Sequence, residues 1–137
     1  MSEIDAFLNR PHIARMATVD PATQQPHVVP VWYGWDGQSI WISSFRSTRI
    51  MRELFKNSRI SVVIDVDGDT PDLRAVQMEG EAELVSEPRD MMEDKTAWIY
   101  DRYLGPEGVK DADSQSWIKD PEALLIKLTP GFMKSWK

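Results

Sequence analysis

The stretch from His27 to Lys56 reads HVVPVWYGWDGQSIWISSFRSTRIMRELFK and changes character twice, and those changes decide the fold. Its first nine residues, HVVPVWYGW, carry β-branched and aromatic side chains at both parities, so a strand here needs apolar cover on both faces. A barrel interior on one side and a subunit or ligand on the other would supply it. Asp36-Gly37 is a tight-turn pair, and SIWIS at 39–43 resumes as a strand, which makes a hairpin. After Ser44-Phe45-Arg46 the spacing turns helical: Ile50, Met51, Leu54 and Phe55 take one side, Arg49, Arg52, Glu53 and Lys56 the other. A helix of about three turns, ending near Asn57, follows from that period.

Upstream, residues 2–9 read as a short helix capped by Ser2 and ended by Pro11. His12 to Val19 reads as a strand, joined through the turn residues of 20–26 to the next one. Downstream, Arg59 to Val66 and Ala75 to Val85 are predicted strands, with a solvated turn at Asp67-Gly68-Asp69-Thr70-Pro71 between them. Pro88 opens a helix to about Tyr103, with Met91, Met92, Trp98, Ile99 and Tyr103 as core candidates, and Leu104-Gly105-Pro106 stops it. The polar stretch 107–120 reads as a loop with a short helical turn. Ala123 to Thr129 is the last full strand, and Phe132 to Trp136 a short edge segment. The early links are too short for parallel crossovers, so the expected architecture is mainly β, an antiparallel sheet closing on itself with helices outside.

The chain has 137 residues, the usual size of one domain, and 1–137 is read as a single one. Its 42% apolar and 28% charged composition is that of a folding sequence. A net charge of −6 argues against nucleic acid or an anionic membrane surface as partner. With no cysteine, thiol catalysis, thiolate metal sites and disulfides are excluded. MSEIDAFLNR has no leader character, no apolar run approaches the roughly 20 residues of a membrane helix, and a cytoplasmic location is expected.

Charge is unevenly spread. Between Arg46 and Lys56 four basic residues meet only Glu53, leaving +3 there and −9 elsewhere of the total −6. Ser47, Thr48 and Arg49 open a helix, where free amides and the dipole already favour an anion, and basic side chains oppose that dipole unless an anion sits between. The spacing alone fits either a phosphate clamp or a solvated, capped helix face. Arg15 shares a strand face with Ile13, Ala17 and Val19; if that face points inward, it needs a phosphate or a carboxylate from a neighbouring strand. Asp65, Asp67 and Asp69 around Gly68 fail the calcium-loop pattern, which requires glycine at position six and glutamate at twelve, where Thr70 and Val76 stand. His12 and His27 have no second imidazole near them in a ligand spacing, so no metal site is predicted. GxSxG, GxGxxG and Walker signatures are absent, and no catalytic side chain is nominated. Of the six tryptophans, Trp32, beside Pro30 on the doubly apolar strand, is the one suited to flanking a flat aromatic ligand.

The ordered series ARMATVD (14–20), PHVVPVWYGWDG (26–37), SIWISSFRSTRIMREL (39–54), RISVVIDV (59–66) and VQMEGEAELV (76–85) resembles the pyridoxamine 5′-phosphate oxidase-like split-barrel flavoproteins, and their flavin and deazaflavin oxidoreductases most closely. RYLGPE at 102–107 and the strand running to Pro130 and Trp136 extend the resemblance through almost the whole chain. It implies a six-stranded antiparallel split barrel of the FMN-binding type, a homodimer with two cofactors in clefts between subunits, and an oxidoreductase acting on a small organic molecule. It places the cofactor phosphate on Ser47, Thr48, Arg49 and Arg15, and the ring along Val28, Val29, Pro30, Val31, Ile42 and Ser43. The FMN oxidases usually carry arginine at the position of Thr48, lysine at Arg49 and a ring-contacting glutamine at Ala75, which keeps a deazaflavin coenzyme beside FMN as the implied cofactor. Residues that bind pyridoxamine phosphate have no clear counterparts here. A non-catalytic flavin carrier, or a heme-binding barrel with His27 or His12 as axial ligand, are the rival readings.

Overall fold

The computed structural model describes residues 2–68 and 73–137. The turn expected at 67–71 therefore falls, from Asp69 to Pro71, outside the described residues. In chain order the elements are α1 (Glu3–Leu8), β1 (Ala14–Val19), β2 (Pro26–Val31), β3 (Tyr33–Trp35), β4 (Ile40–Phe45), α2 (Arg49–Lys56), β5 (Arg59–Asp65), β6 (Ala75–Val85), α3 (Arg89–Val109), α4 (Ala112–Ile118), β7 (Ala123–Leu128) and β8 (Phe132–Trp136).

All strand pairs are antiparallel and run in the order β2-β1-β5-β6-β7-β4-β3, with β8 on the outer half of β6. The two ends of that path, β2 and β3, are halves of one apolar run separated by Trp32. β2 pairs with β1 and β3 with β4, so the sheet curls until its ends meet in sequence. Among the described residues this gives eight strands where six were expected. The difference arises at Trp32, whose departure from the ladder divides the run, and at the tail, where the expected short edge segment Phe132–Trp136 pairs with β6 over five residues as a strand of its own.

The helices carry local reasons. Ser2 accepts from the Asp5 amide at 3.0 Å while the Asp5 carboxylate receives the Ser2 amide, a reciprocal cap that starts α1. Thr48 caps α2, which is 8 residues long: it ends where expected, at the extended Asn57, and is shorter than three turns because it starts only at Arg49. In α3, Gly105 (φ 78°) breaks the helix at the expected Leu104-Gly105-Pro106, but helical structure resumes, and the short helical turn expected within 107–120 is the seven-residue α4, capped by Asp111.

Two apolar layers result. The first fills the curl with Tyr33, Ile42, Met51, Val62, Met78 and Ile126, among others, all at most 1% exposed. The second lies between the outer side of β4 and β7 and the helices α3 and α4, built on Trp41, Met92, Ile99, Tyr100, Ile118 and Leu125. Among the described residues no helix is long and apolar enough to cross a membrane.

Candidate functional site

Strand alternation sends Trp41, Ser43 and Phe45 toward the second layer and Ile40 and Ile42 into the first. Where β2 ends and that second layer begins, Ile13, Pro30, Val31, Trp32, Ser43, Tyr100 and Trp117 enclose a cavity of about 510 Å³. Its walls are aromatic. Trp32 is stacked on Tyr103 (centroids 4.7 Å, 7°) and meets Tyr100 edge to face (5.8 Å, 85°), and Tyr100 meets Trp117 the same way (6.2 Å, 84°). The only side-chain polar groups among the lining residues are the Ser43 and Tyr100 hydroxyls and the two indole N–H groups. Burial raises the Tyr100 pKa, against a smaller lowering by its hydrogen bond with Ser43, so the phenol stays protonated through the neutral range.

Tyr103 is fixed by its backbone neighbours: its hydroxyl donates to the His12 carbonyl at 2.7 Å and accepts from the Tyr33 amide at 3.1 Å. Beside it the Arg102 guanidinium donates to the carbonyls of Tyr33, Leu8, Asn9 and Arg10 at 2.9–3.2 Å. The cavity wall is therefore anchored to α1 and β3.

Four residues beyond Ser43 the chain reaches the basic turn, roughly 13 Å of extended backbone at most. Thr48 is committed to the cap: its hydroxyl donates to the Phe45 carbonyl at 3.1 Å and accepts from the Met51 amide at 3.3 Å. The amides of Arg49 and Ile50 have no partner in a preceding helical turn, and Arg46, Ser47 and Arg49 are exposed around them. Arg49 is steered from behind. Its Nε lies 3.5 Å from Oε2 of Glu53, a carboxylate only 6% exposed whose Oε1 accepts from Thr18 at 2.9 Å and meets His27 Nδ1 at 2.7 Å. Burial would raise the Glu53 pKa, but the His27 and Thr18 hydrogen bonds and the Arg49 charge together hold it below the usual carboxylate value. A hollow of about 190 Å³ lined by Asp20, Pro21, Arg49, Arg52, Glu53 and Lys56 continues along the same side of α2.

The expected site residues thus fall into three places. Pro30, Val31, Trp32 and Ser43 line the cavity, and Ser47, Thr48 and Arg49 form the turn beyond it. Val28 and Arg15 stand on the outer sheet face, where Arg15 pairs with Asp65 of β5, the neighbouring-strand carboxylate that was one of its two sequence readings. Val29 packs against the first layer, and Ile42 is sealed in it at 1% exposure, so only its backbone can face a ligand. Neither histidine lines the cavity: His27 is turned to Glu53 and His12 stacks near Phe7 at 4.8 Å. Burial, with the Arg10 and Arg102 charges, lowers the His12 pKa. Among the described residues no cluster of three His, Asp or Glu side chains is placed to hold a metal ion. Sequence reading missed Tyr100, Trp117, Ile13 and Glu53; a tryptophan standing alone in the polar stretch 107–120 was the one available signal.

With this geometry, the family model described as pyridoxamine 5′-phosphate oxidase matches residues 1–134. The chain belongs to the pyridoxamine 5′-phosphate oxidase family. A solved family-like fold, a conserved hypothetical protein from Mycobacterium tuberculosis, is 28% identical with a TM-score of 0.80, covering 100% of this chain and 85% of its own. A structure described as an F420 reductase is 24% identical (TM-score 0.74; 95% and 94% covered). The heme storage protein HutZ from Vibrio cholerae is 18% identical (0.74; 96% and 91%). The last two share the fold alone at that identity. No curated protein matches the chain.

Proposed function

We propose that this member of the pyridoxamine 5′-phosphate oxidase family is an oxidoreductase that binds FMN, or a deazaflavin in its place, and acts on a small organic molecule. The observation that carries the reading is the succession, within four residues along β4 and the turn after it, of an aromatic cavity without charged walls at Ser43 and a basic turn with free helix amides at Ser47 to Arg49. The residues fit such a cofactor: Ser47, the Arg49 side chain and the first α2 amides would take the phosphate, with Thr48 setting the turn, and Pro30 to Trp32 with Ser43 would bound the ring. Arg15 and Val28 belong to the same proposed site, reached from the outer face, and Val29, whose side chain packs against the first layer, would contribute its backbone. A bound flavin or deazaflavin supplies the hydride or electron transfer itself. The chain's own part is to orient, to exclude water through Trp32, Tyr100 and Trp117, and to hold a proton on the Tyr100 oxygen.

A homodimer is part of this proposal. Register lines such as Val28–Ala17–Ser61–Glu79–Phe132 run across the outer face of β2, β1, β5, β6 and β8, with Val28 63% and Phe132 49% exposed. A hollow of about 510 Å³ lies on the same face, and exposed apolar area of this kind supports a second subunit. The test is titration of the cofactor-free protein with FMN and with an F420-type deazaflavin side by side. Saturable binding of one with a flavin-type spectrum is expected; binding of neither, or a Soret band from heme instead, sinks the reading. A monomeric mass at micromolar concentration would remove the dimer.

A further inference from the structure

We infer that Glu53 is a positioning residue for the anion site at the start of α2: it grips Arg49 by Nε and leaves the terminal guanidinium nitrogens to the anion. Glu53 lies one helical turn beyond Arg49 and is buried, whereas the other charged side chains of α2, Arg49, Arg52 and Lys56, are exposed. Its Oε1 receives the Thr18 hydroxyl of β1 at 2.9 Å and meets His27 Nδ1 of β2 at 2.7 Å, so the carboxylate is fixed to the sheet. Oε2 is sealed from water and accepts no hydrogen bond; among the described residues it is answered by Arg49 Nε alone, 3.5 Å away. Its lowered pKa keeps the carboxylate ionised at neutral pH, and a buried anion is costly unless a cation stands beside it. Arg52 is committed elsewhere, donating from Nη1 to the Ser47 carbonyl at 3.1 Å, and Lys56 is seven positions further, roughly 10 Å of helix. A guanidinium suits this double duty: with Nε turned to Glu53, its Nη1 and Nη2 fork remains, and neither nitrogen has a protein partner among the described residues. Two roles for the carboxylate give opposite outcomes. As a bare charge it would repel an anion at the helix start, and its removal would tighten binding. As the holder of Arg49, its removal frees the guanidinium to wander and weakens binding.

The inference rests on the proposed cofactor reading for the identity of the anion, but not for its binding. Riboflavin and FMN share a ring and differ by the phosphate, so the ratio of their dissociation constants, titrated on the full-length cofactor-free protein, isolates this end of the site. The unaltered chain should prefer FMN at least about tenfold, and Glu53→Gln should cut that preference about 3- to 10-fold with riboflavin affinity unchanged, a pattern that loosened structure would not give. Adding Glu53→Gln to Arg49→Ala should weaken FMN binding no further than Arg49→Ala alone. Arg49→Lys, at a half-exposed position that keeps the test open if Glu53→Gln does not fold, should also lose most of the preference, because one ammonium cannot serve Glu53 and the anion together. Inorganic phosphate, followed by phosphorus NMR line broadening, gives the same comparisons without the ring. An anion preference unchanged or raised in Glu53→Gln overturns the inference, as do additive losses in the double variant, full retention in Arg49→Lys, and a chain that binds neither FMN nor phosphate. Phosphate binding that weakens in Glu53→Gln, without affinity for FMN or the deazaflavin, would leave the inference standing and remove the cofactor reading instead.

Discussion

β2 and β3 are cut from one run of equally apolar residues, yet they meet opposite fates. Tyr33, Gly34 and Trp35 are all buried, while β2 alternates exposed and half-buried positions to its end. The difference lies in what each half is given to face. β3 has α1 on one side and the α3 side chains on the other: the Tyr33 hydroxyl donates to the Leu8 carbonyl at 2.9 Å, Trp35 Nε1 donates to Asp5 at 2.7 Å, and the Trp98 ring rests on Gly34. β2 has the first layer on one side and, among the described residues, solvent and the open aromatic cavity at Pro30 on the other. The sealed half teaches what stabilises the protein and the open half what it presents to ligand or partner.

The largest test of that division is Tyr33→Ala, which empties a fully buried site and should cost about 3–5 kcal/mol in urea unfolding. In the open region Arg49→Ala should change unfolding little, since Arg49 is itself half exposed and the buried Glu53 carboxylate keeps its Thr18 and His27 partners. It should instead weaken FMN or deazaflavin binding by about 1.5–3 kcal/mol, read by titration. Back in the sealed half, a Cβ on Gly34 would lie 2.4 Å from the Trp98 ring, so Gly34→Ala should destabilise by about 1–3 kcal/mol. The sealed end also titrates. Because the His12 pKa is lowered in the folded chain, the unfolded chain protonates first; stability is complete above the ordinary value of 6.5 and declines as pH falls below it, levelling once the folded imidazole is protonated too. His12→Phe keeps the ring and removes the proton site, so its melting temperature should fall less between pH 7 and 5. Smallest for the fold is Val28→Ser, at 63% exposure: within about 0.5 kcal/mol by unfolding, but with dimer dissociation at higher concentration in sedimentation. If Val28→Ser unfolds the protein, or Tyr33→Ala does not weaken it, the contrast between the halves is wrong.

Much of this was legible in the residues. The Ser2 cap, the hairpin across Asp36-Gly37 and the helical period through Ile50, Met51 and Leu54 are local signals, and local chemistry realised them, whereas Phe55, read with the apolar side, is exposed and Glu53, read with the polar side, is buried against Thr18 and His27. What escaped depends on contacts far along the chain. Alternation divides β1 into two faces but does not say which is inside: Ile13, Ala17 and Val19 are as apolar as Ala14, Met16 and Thr18, yet the second set is buried, with Thr18 held by Glu53. That choice turned Arg15 outward to Asp65. The break at Trp32 follows from Tyr103 and Tyr100, some seventy positions later, which draw the indole out of the ladder. Likewise α4 has one apolar edge, Trp117-Ile118, and becomes legible as a helix only against α3. The cavity stands where these long-range choices converge, so Pro30 to Trp32 could be read ahead and Tyr100 and Trp117 could not.

The guanidinium of Arg102 gathers carbonyls from Leu8, Asn9 and Arg10, up to 94 positions earlier in the chain. On the ribosome this sets an order of events. A nascent chain that has already released α1 and every strand from β1 to β6 has the Tyr33 hydroxyl for the Leu8 and Arg10 carbonyls but still lacks the guanidinium that ties all three together, and β4 still lacks its β7 neighbour. Native closure must wait until nearly all of the polypeptide has emerged, since contacts of such long sequence separation cannot form piecemeal. Synthesis therefore exposes the apolar β2 and β3 together for most of its course, and their fates diverge only when the last third of the chain arrives.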